Sequence, residues 1–263
     1  MRAHGCSRLA VRATEYLLVD ISNSFTKAAP ATPAKVGRTE RFETAHLTSG
    51  RLRRLINRWR SKSIIVSSVV PARNAAVARA AGRRPLLFID EKADLGVMID
   101  YPKPSTIGAD RLANAAAAAE LFGYPAIVVD FGTAVTFDVV SNARSYIGGV
   151  IAPGLEAMTS FLYQRTALLP KLQLAEPRNA VGRTTREAML SGAVHGYRGL
   201  VREILLQIQR ETFPCEKVRV IATGGYAELI ARQMPEIDAV RPKLTLEGLR
   251  IVANRTFREG NRA

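Results

Sequence analysis

Residues 125–155 read PAIVVDFGTAVTFDVVSNARSYIGGVIAPGL, and the fold turns on how this stretch is read. Ala126 to Val129 is a short, almost wholly apolar run rich in β-branched residues. It predicts a buried strand that ends in one carboxylate, Asp130. Gly132, Thr133, Ala134, Val135 and Thr136 follow, small and hydroxyl-bearing residues that open a second β-branched run through Val140. Strand, tight small-residue turn and returning strand make a hairpin. Its backbone N–H groups and Thr hydroxyls can face a phosphate, because no bulky side chain stands in the way. Asp130 beside them can hold a cation or its water shell. This is a route to a nucleoside triphosphate site without a Walker A loop, whose G-x-x-x-x-G-K-[ST] signature the chain lacks. A plain hairpin with a capping Asp accounts for the letters DFGTA equally well.

The same plan occurs once before. Tyr16 to Asp20, YLLVD, reads as a buried strand ending in an Asp, followed by Ile21, Ser22, Asn23, Ser24, Phe25, Thr26 and Lys27. Two such hairpins suggest a duplicated fold with similar halves facing one another. Met1 to Glu15, with no acid before Glu15 and no signal-length apolar core, reads as a disordered or mis-started extension.

The 263 residues can form one large domain or two smaller ones, and 47% hydrophobic with 23% charged residues is ordinary for a soluble globular chain. No apolar run approaches the roughly 20 residues that span a bilayer, so no membrane is expected. Cys6 and Cys215 lie far apart and form no spaced pair, so they support neither a disulfide framework nor a zinc site, and the cytoplasm is the expected compartment. The charge of +15 comes from 38 Lys and Arg against 23 acids. Arg51, Arg53, Arg54, Arg58, Arg60 and Lys62 cluster on a helix whose other face carries Leu52, Leu55, Ile56 and Trp59. A solvated helix face explains that cluster; no recognition motif accompanies it, so nucleic acid is not expected as a partner.

Between the two hairpins, Ala29 to Ala34 reads as a Pro- and Ala-rich loop, Leu47 to Arg60 as a helix, and Ser63 to Val70 as a strand stopped by Pro71. Asn74 to Ala81 reads as a helix and Pro85 to Ile89 as a strand. Asp100 to Ala119, DYPKPSTIGADRLANAAAAA, is a Pro-broken loop entering an Ala-rich helix through Gly108, Ala109, Asp110 and Arg111. Asp110 fits a helix cap, where the dipole favours an anion. Acid beside Arg also suits catalysis: the carboxylate takes a proton from a hydroxyl while the guanidinium holds an anionic group of the same substrate.

Beyond the second hairpin, Gly148 and Gly149 allow close backbone approach, and Pro153 with Gly154 turns the chain into a helix near Leu155. Gly182 to Thr185 reads as a loop before a helix over 186–197. His195 in that helix has no evident partner and reads as structural. A second long helix is expected over 199–212, a strand over Val218–Ala222 ending in Thr223, Gly224 and Gly225, and a closing helix over Leu244–Phe257. The Gly-Gly turn leaves room for a flat adenine or ribose, or is simply tight.

Taken together, the stretches resemble the type III pantothenate kinases from about Leu17 to Ala253. D-x-G-N-[ST] is matched by Asp20 to Ser24, G-A-D-R by Gly108 to Arg111, and D-x-G-T-A by Asp130 to Ala134. G-G-x-I-x-P-G is matched by Gly148 to Gly154, G-x-x-T by Gly182 to Thr185, and T-G-G by Thr223 to Gly225. Each motif is short, but their order and spacing are highly specific.

The resemblance implies an α/β fold of the acetate and sugar kinase, heat-shock protein and actin type, with two ribonuclease-H-like domains facing each other and ATP between them. The domains expected are 16–122 and 123–257. It implies phosphorylation of the primary hydroxyl of pantothenate, the first step of coenzyme A synthesis. Asp110 would be the general base, and Tyr101, Gly108, Ala109, Arg111 and Thr185 would contact substrate. Asp20, Ser22, Asn23, Ser24 and Lys27 would form the first phosphate site, Gly132 and Thr133 the second, with Gly224 at the nucleotide. Asp130 would hold a monovalent cation, potassium or ammonium, alongside the magnesium that accompanies ATP, and a homodimer is implied.

One position departs from the family pattern: Ser22 stands where the family has Gly. If that position needs positive φ or close approach to phosphate, a side chain costs roughly 1 kcal/mol or more and weakens ATP binding. Two other readings of the chain remain at this point. One is a catalytically weak relative that regulates through protein or DNA contacts. The other is a kinase of the same fold acting on another small hydroxylated acid.

Overall fold

The computed structural model describes residues 14–259. The described chain divides into two compact units between Phe88 and Ile89. The rest of the expected N-terminal extension lies outside the described residues. Thr14 and Glu15, assigned to that extension from sequence, are tied into the first unit: the Thr14 N–H donates to the Trp59 carbonyl, and the Glu15 carbonyl accepts from Lys62 and Ser63.

The first unit contains β1 (Tyr16–Ile21), β2 (Phe25–Ala31), β3 (Glu40–Glu43), α1 (Ser49–Trp59), β4 (Ser63–Ser68), α2 (Pro71–Ala81) and β5 (Leu86–Phe88). Its sheet has the order β3-β2-β1-β4-β5. β1 is wholly buried, as its unbroken apolar run requires of a strand covered on both faces. It pairs antiparallel with β2 and parallel with β4. Leu52, Leu55 and Ile56 of α1 are buried, and Thr48 caps that helix by accepting from the Arg51 N–H. The arginines of α1 have local uses: Arg58 pairs with Glu40, and Arg51 lies over the Phe42 ring. Arg60 leaves the helix in the left-handed conformation.

Two sequence expectations change here. Ala29 to Ala31 belong to β2, with both alanines buried, rather than to a loop. Pro30 is tolerated because β3 pairs only with Phe25 to Ala28 and ends before it. Pro71 does more than stop a strand, since it occupies the first turn of α2, where its missing N–H costs nothing.

The second unit continues with β6 (Met98–Ile99), α3 (Ala109–Phe122), β7 (Ala126–Phe131), β8 (Ala134–Val140), β9 (Ser145–Pro153), α4 (Leu155–Arg165), α5 (Thr185–Thr212), β10 (Arg219–Gly224), α6 (Ala227–Ala231), β11 (Ala239–Val240) and α7 (Leu244–Asn254). Its sheet runs β11-β10-β7-β8-β9-β6. β7, β8 and β9 are antiparallel neighbours, and β10 runs parallel to β7. The order β9-β8-β7-β10-β11 therefore repeats the first sheet strand for strand, so the duplication suggested by the two hairpins extends to all five strands. By contacts α3 is counted with this unit, whereas the sequence reading grouped it with the first half.

One core of this unit lies between the sheet and α5, with Phe131, Phe137, Tyr197 and Val201 buried. On another face α3 packs against α7. A Cβ at Gly248 would overlap the Ala113 carbonyl oxygen, so the two helices meet backbone to backbone.

Three further expectations change. Tyr146 to Pro153 lies within a nine-residue strand, β9, where only close backbone approach at Gly148 and Gly149 and a turn at Pro153 and Gly154 were expected. The helices expected on either side of Gly199 are one 28-residue helix, α5. Gly192, Gly196 and Gly199 do not break it, because burial of Val194, Tyr197 and Val201 against the sheet outweighs roughly 1 kcal/mol per glycine. The closing helix is regular only to Asn254, then widens into a π-turn at Arg255–Glu259. Among the described residues no helix is long and apolar enough to cross a membrane.

Candidate active site

The site in the second unit is built where α3 begins and where β7 turns into β8. Gly108 takes the capping position of α3 without a side-chain bond, which leaves Asp110 in the first turn. One Asp110 oxygen accepts from the Arg111 N–H at 2.9 Å. Burial, and after it the nearby charge of Asp130, raises the Asp110 carboxyl above its ordinary value. A carboxylate so placed is a better base than an exposed one.

Arg111 points the other way along the sheet. Its Nε donates to Asp138 Oδ1 at 2.5 Å, and Nη2 reaches the Phe137 carbonyl at 3.4 Å. Nη1 makes no hydrogen bond among the described residues, so part of the guanidinium fork is left for a ligand. Tyr146, fully buried, lies beneath it, with Cζ 5.7 Å from the ring centroid. Tyr101 meets Tyr146 edge-on at 6.2 Å. These contacts bring Tyr101, Asp110 and Arg111 of the sequence-derived site together with two residues that the sequence reading passed over.

Asp130 lies one residue before the end of β7, which runs on through Phe131 rather than stopping at the acid. Its Oδ2 accepts from Asn114 Nδ2 at 3.3 Å, and the Asn114 Oδ1 accepts from the Thr245 hydroxyl at 2.9 Å. Asn114 stands one turn beyond Asp110, so α3 orients one acid while carrying the other. Around Asp130 the chain is kept small. A Cβ at Gly224, where φ is +95°, would lie 2.5 Å from Asp130 Oδ1, and the Gly154 N–H donates to the Thr133 carbonyl at 3.1 Å. The Gly132–Thr133 turn is closed by the Gly132 N–H on the Ala134 carbonyl.

In the first unit, Asp20 is almost fully buried and Lys27 pairs with it at 3.9 Å. The loop between β1 and β2 is held by the Ser22 N–H on the Phe25 carbonyl, while the Thr44 hydroxyl donates to the Ser22 carbonyl at 2.7 Å. Asn23 and Ser24 are exposed at its tip. Ser22 is not among the residues with positive φ, so the backbone strain expected from replacing the family Gly is absent. Thr185 is exposed at the start of α5; the cap itself is Thr184, whose hydroxyl accepts from the Glu187 N–H. No hydrogen bond joins Thr185 to Asp110 or Arg111 among the described residues. His195 is exposed on α5, outside the core.

Asp138 and Asn114 were legible as anomalies. Asp138 is an acid inside the apolar run VTFDVV, and Asn114 is the polar interruption of an alanine run. Both are polar groups that must find partners if buried.

Residues 16–207 match the family profile described as type III pantothenate kinase. A type III pantothenate kinase of Akkermansia muciniphila is 48% identical over 240 residues, covering 90% of this chain and 98% of that one. One from Methylacidiphilum infernorum is 42% identical over 236 residues, covering 90% and 87%. In structure the chain is similar to component A of (R)-2-hydroxyglutaryl-CoA dehydratase from Acidaminococcus fermentans, with TM-score 0.51 and 12% identity over 95% of this chain and 100% of that one. It is also similar to MreB5 of Spiroplasma citri, with TM-score 0.50 and 10% identity over 95% and 98%. These likenesses bear on the fold alone, which is the paired ribonuclease-H-like fold of actin and the sugar kinases.

Proposed function

The chain belongs to the type III pantothenate kinase family, and from that premise we propose how its residues share the transfer of the ATP γ-phosphate to the primary hydroxyl of pantothenate. Asp110 takes the hydroxyl proton. Arg111 holds the carboxylate of the same molecule through its Nη1 edge, and Tyr101, Gly108, Ala109 and Thr185 complete the substrate contacts. The observation that carries this assignment is the pairing of a half-buried, raised carboxyl with an adjacent guanidinium that keeps unused donors. Phosphoryl transfer asks mainly for positioning and charge neutralisation, so a base of this modest strength is sufficient.

The phosphates of ATP, with its magnesium, are bound by Asp20, Ser22, Asn23, Ser24 and Lys27 and by Gly132 and Thr133, with Gly224 at the nucleotide. Asp130 is proposed to hold a monovalent cation, potassium or ammonium. The surroundings suit one: oxygen donors are present, and the space beside Oδ1 is one that a Cβ at Gly224 would fill. Among the described residues no group of three acids, histidines or cysteines competes for a transition metal. When bound, the cation supplies positive charge close to the phosphates. A cytoplasmic homodimer completes the proposal, and the exposed Met158, Phe161, Leu162 and Tyr163 along α4 support an apolar contact with a second copy.

The test is ADP release from purified protein with ATP and magnesium, with and without pantothenate, in potassium and then in sodium. Pantothenate-dependent turnover that falls in sodium is the expected result. No turnover with any nucleoside triphosphate would refute the catalytic reading and leave a regulatory relative in its place.

A further inference from the structure

Asp138 has no part in the chemistry above, yet it is fully buried in the middle of β8. Its Oδ1 takes the Nε–H of Arg111, while Oδ2 has no hydrogen-bond partner among the described residues. Opposite it in the ladder stands Gly149 of β9. A Cβ there would overlap the Phe137 carbonyl oxygen and come within 2.9 Å of Arg111 Nη2, so the absence of a side chain is what admits the guanidinium. The ring of Tyr146 closes the slot from another side. A buried ion pair is weak evidence for stability, since well-packed apolar groups of the same size commonly do as well or better. What the pair fixes is direction: Nε is held by a carboxylate and Nη2 rests at a carbonyl, which leaves Nη1 as the unengaged edge.

We infer that Asp138 is a positioning residue for substrate choice. By orienting Arg111 it presents a fixed guanidinium edge to a carboxylate, and so sets the preference for the free acid over its uncharged carboxamide counterpart. The inference rests on the reading of Arg111 as the carboxylate contact.

The experiment compares wild type, Asp138→Asn, Arg111→Gln and the double variant. It measures kcat and KM for pantothenate, for its carboxamide, and for ATP. Asp138→Asn is expected to raise KM for the acid about tenfold to a hundredfold, the usual worth of a charge-assisted hydrogen bond, with KM for the carboxamide and for ATP within about threefold. In the Arg111→Gln background the same substitution should change the acid-to-amide preference by less than about twofold, because the two residues act as one unit. Equal losses on acid and amide, or additive effects of the two substitutions, would overturn the inference. If Arg111→Gln lowers the preference and Asp138→Asn does not, Asp138 is excluded while the Arg111 reading stands. If Arg111→Gln leaves the preference unchanged, the Arg111 reading fails and takes the inference with it. Should the Asn variant not fold, Asp138→Ser, which leaves room for water in place of the carboxyl, is carried through the same readings.

Discussion

Gly224→Ala tests the geometry around Asp130 most severely. The residue sits at φ +95°, where a Cβ costs roughly 1–2 kcal/mol in any L-residue. The added methyl would also lie 2.5 Å from Asp130 Oδ1 and 2.6 Å from the Phe131 backbone. Phe131 is the β7 partner of Gly224, so β10 cannot relax without loosening the parallel ladder through Thr223 and Asp130. Overpacking of this kind adds about 1–3 kcal/mol, for a total of about 2–5 kcal/mol. That is a large share of a folding free energy of about 5–15 kcal/mol. Guanidinium denaturation of both proteins reads the loss directly, and titrating potassium against pantothenate-dependent ADP release reads the cation site. The variant should lose stability by that amount and need about tenfold more potassium, or fail to respond to it. A loss under about 1 kcal/mol with an unchanged potassium requirement would show that the space beside Asp130 is not built for a cation.

Asp110→Asn should bring turnover below about one per cent while ATP still binds, as measured by equilibrium dialysis. The acid limb of the kcat/KM profile should lie above the ordinary aspartate range, because the base works as carboxylate and its raised pKa makes it protonate early as pH falls. The sign for stability is opposite: a group raised on folding contributes fully below its unfolded value and loses that contribution as pH rises through the folded one. Asp110→Asn should therefore gain on wild type in thermal melts as pH rises above the ordinary aspartate value, the gain levelling off once pH passes the raised folded value. Ser22→Gly should leave KM for ATP within about threefold, since no positive φ is there to relieve.

The central hairpin could be read from sequence because its signals agree: β-branched runs on both sides of a small-residue turn leave one solution. The same logic located Asp20, Asp110 and Asp130, each at the end of a strand or the start of a helix. β9 was missed because Gly148, Gly149 and Pro153 weigh against a strand locally, while pairing with β8 along its length outweighs them. α5 was cut at Gly199 for the same reason, a local penalty overruled by burial on the far face. Asp138 and Asn114 were passed over because their roles depend on partners distant in sequence, Arg111 for one, Asp130 and Thr245 for the other.

The crossing of α3 and α7 has a consequence for how this chain can change. Gly248 stands against the Ala113 carbonyl, and Ala117 and Ala118 are buried with Leu244 and Ile251 of α7. Their side chains carry no charge and no polar atom, yet a carbon added at Gly248 would push α7 away from α3, the helix that seats Asp110 and Arg111. Neutral drift is thus closed to them as firmly as to the acid itself, and a survey of tolerated substitutions would rank inert methyl groups beside the reacting ones.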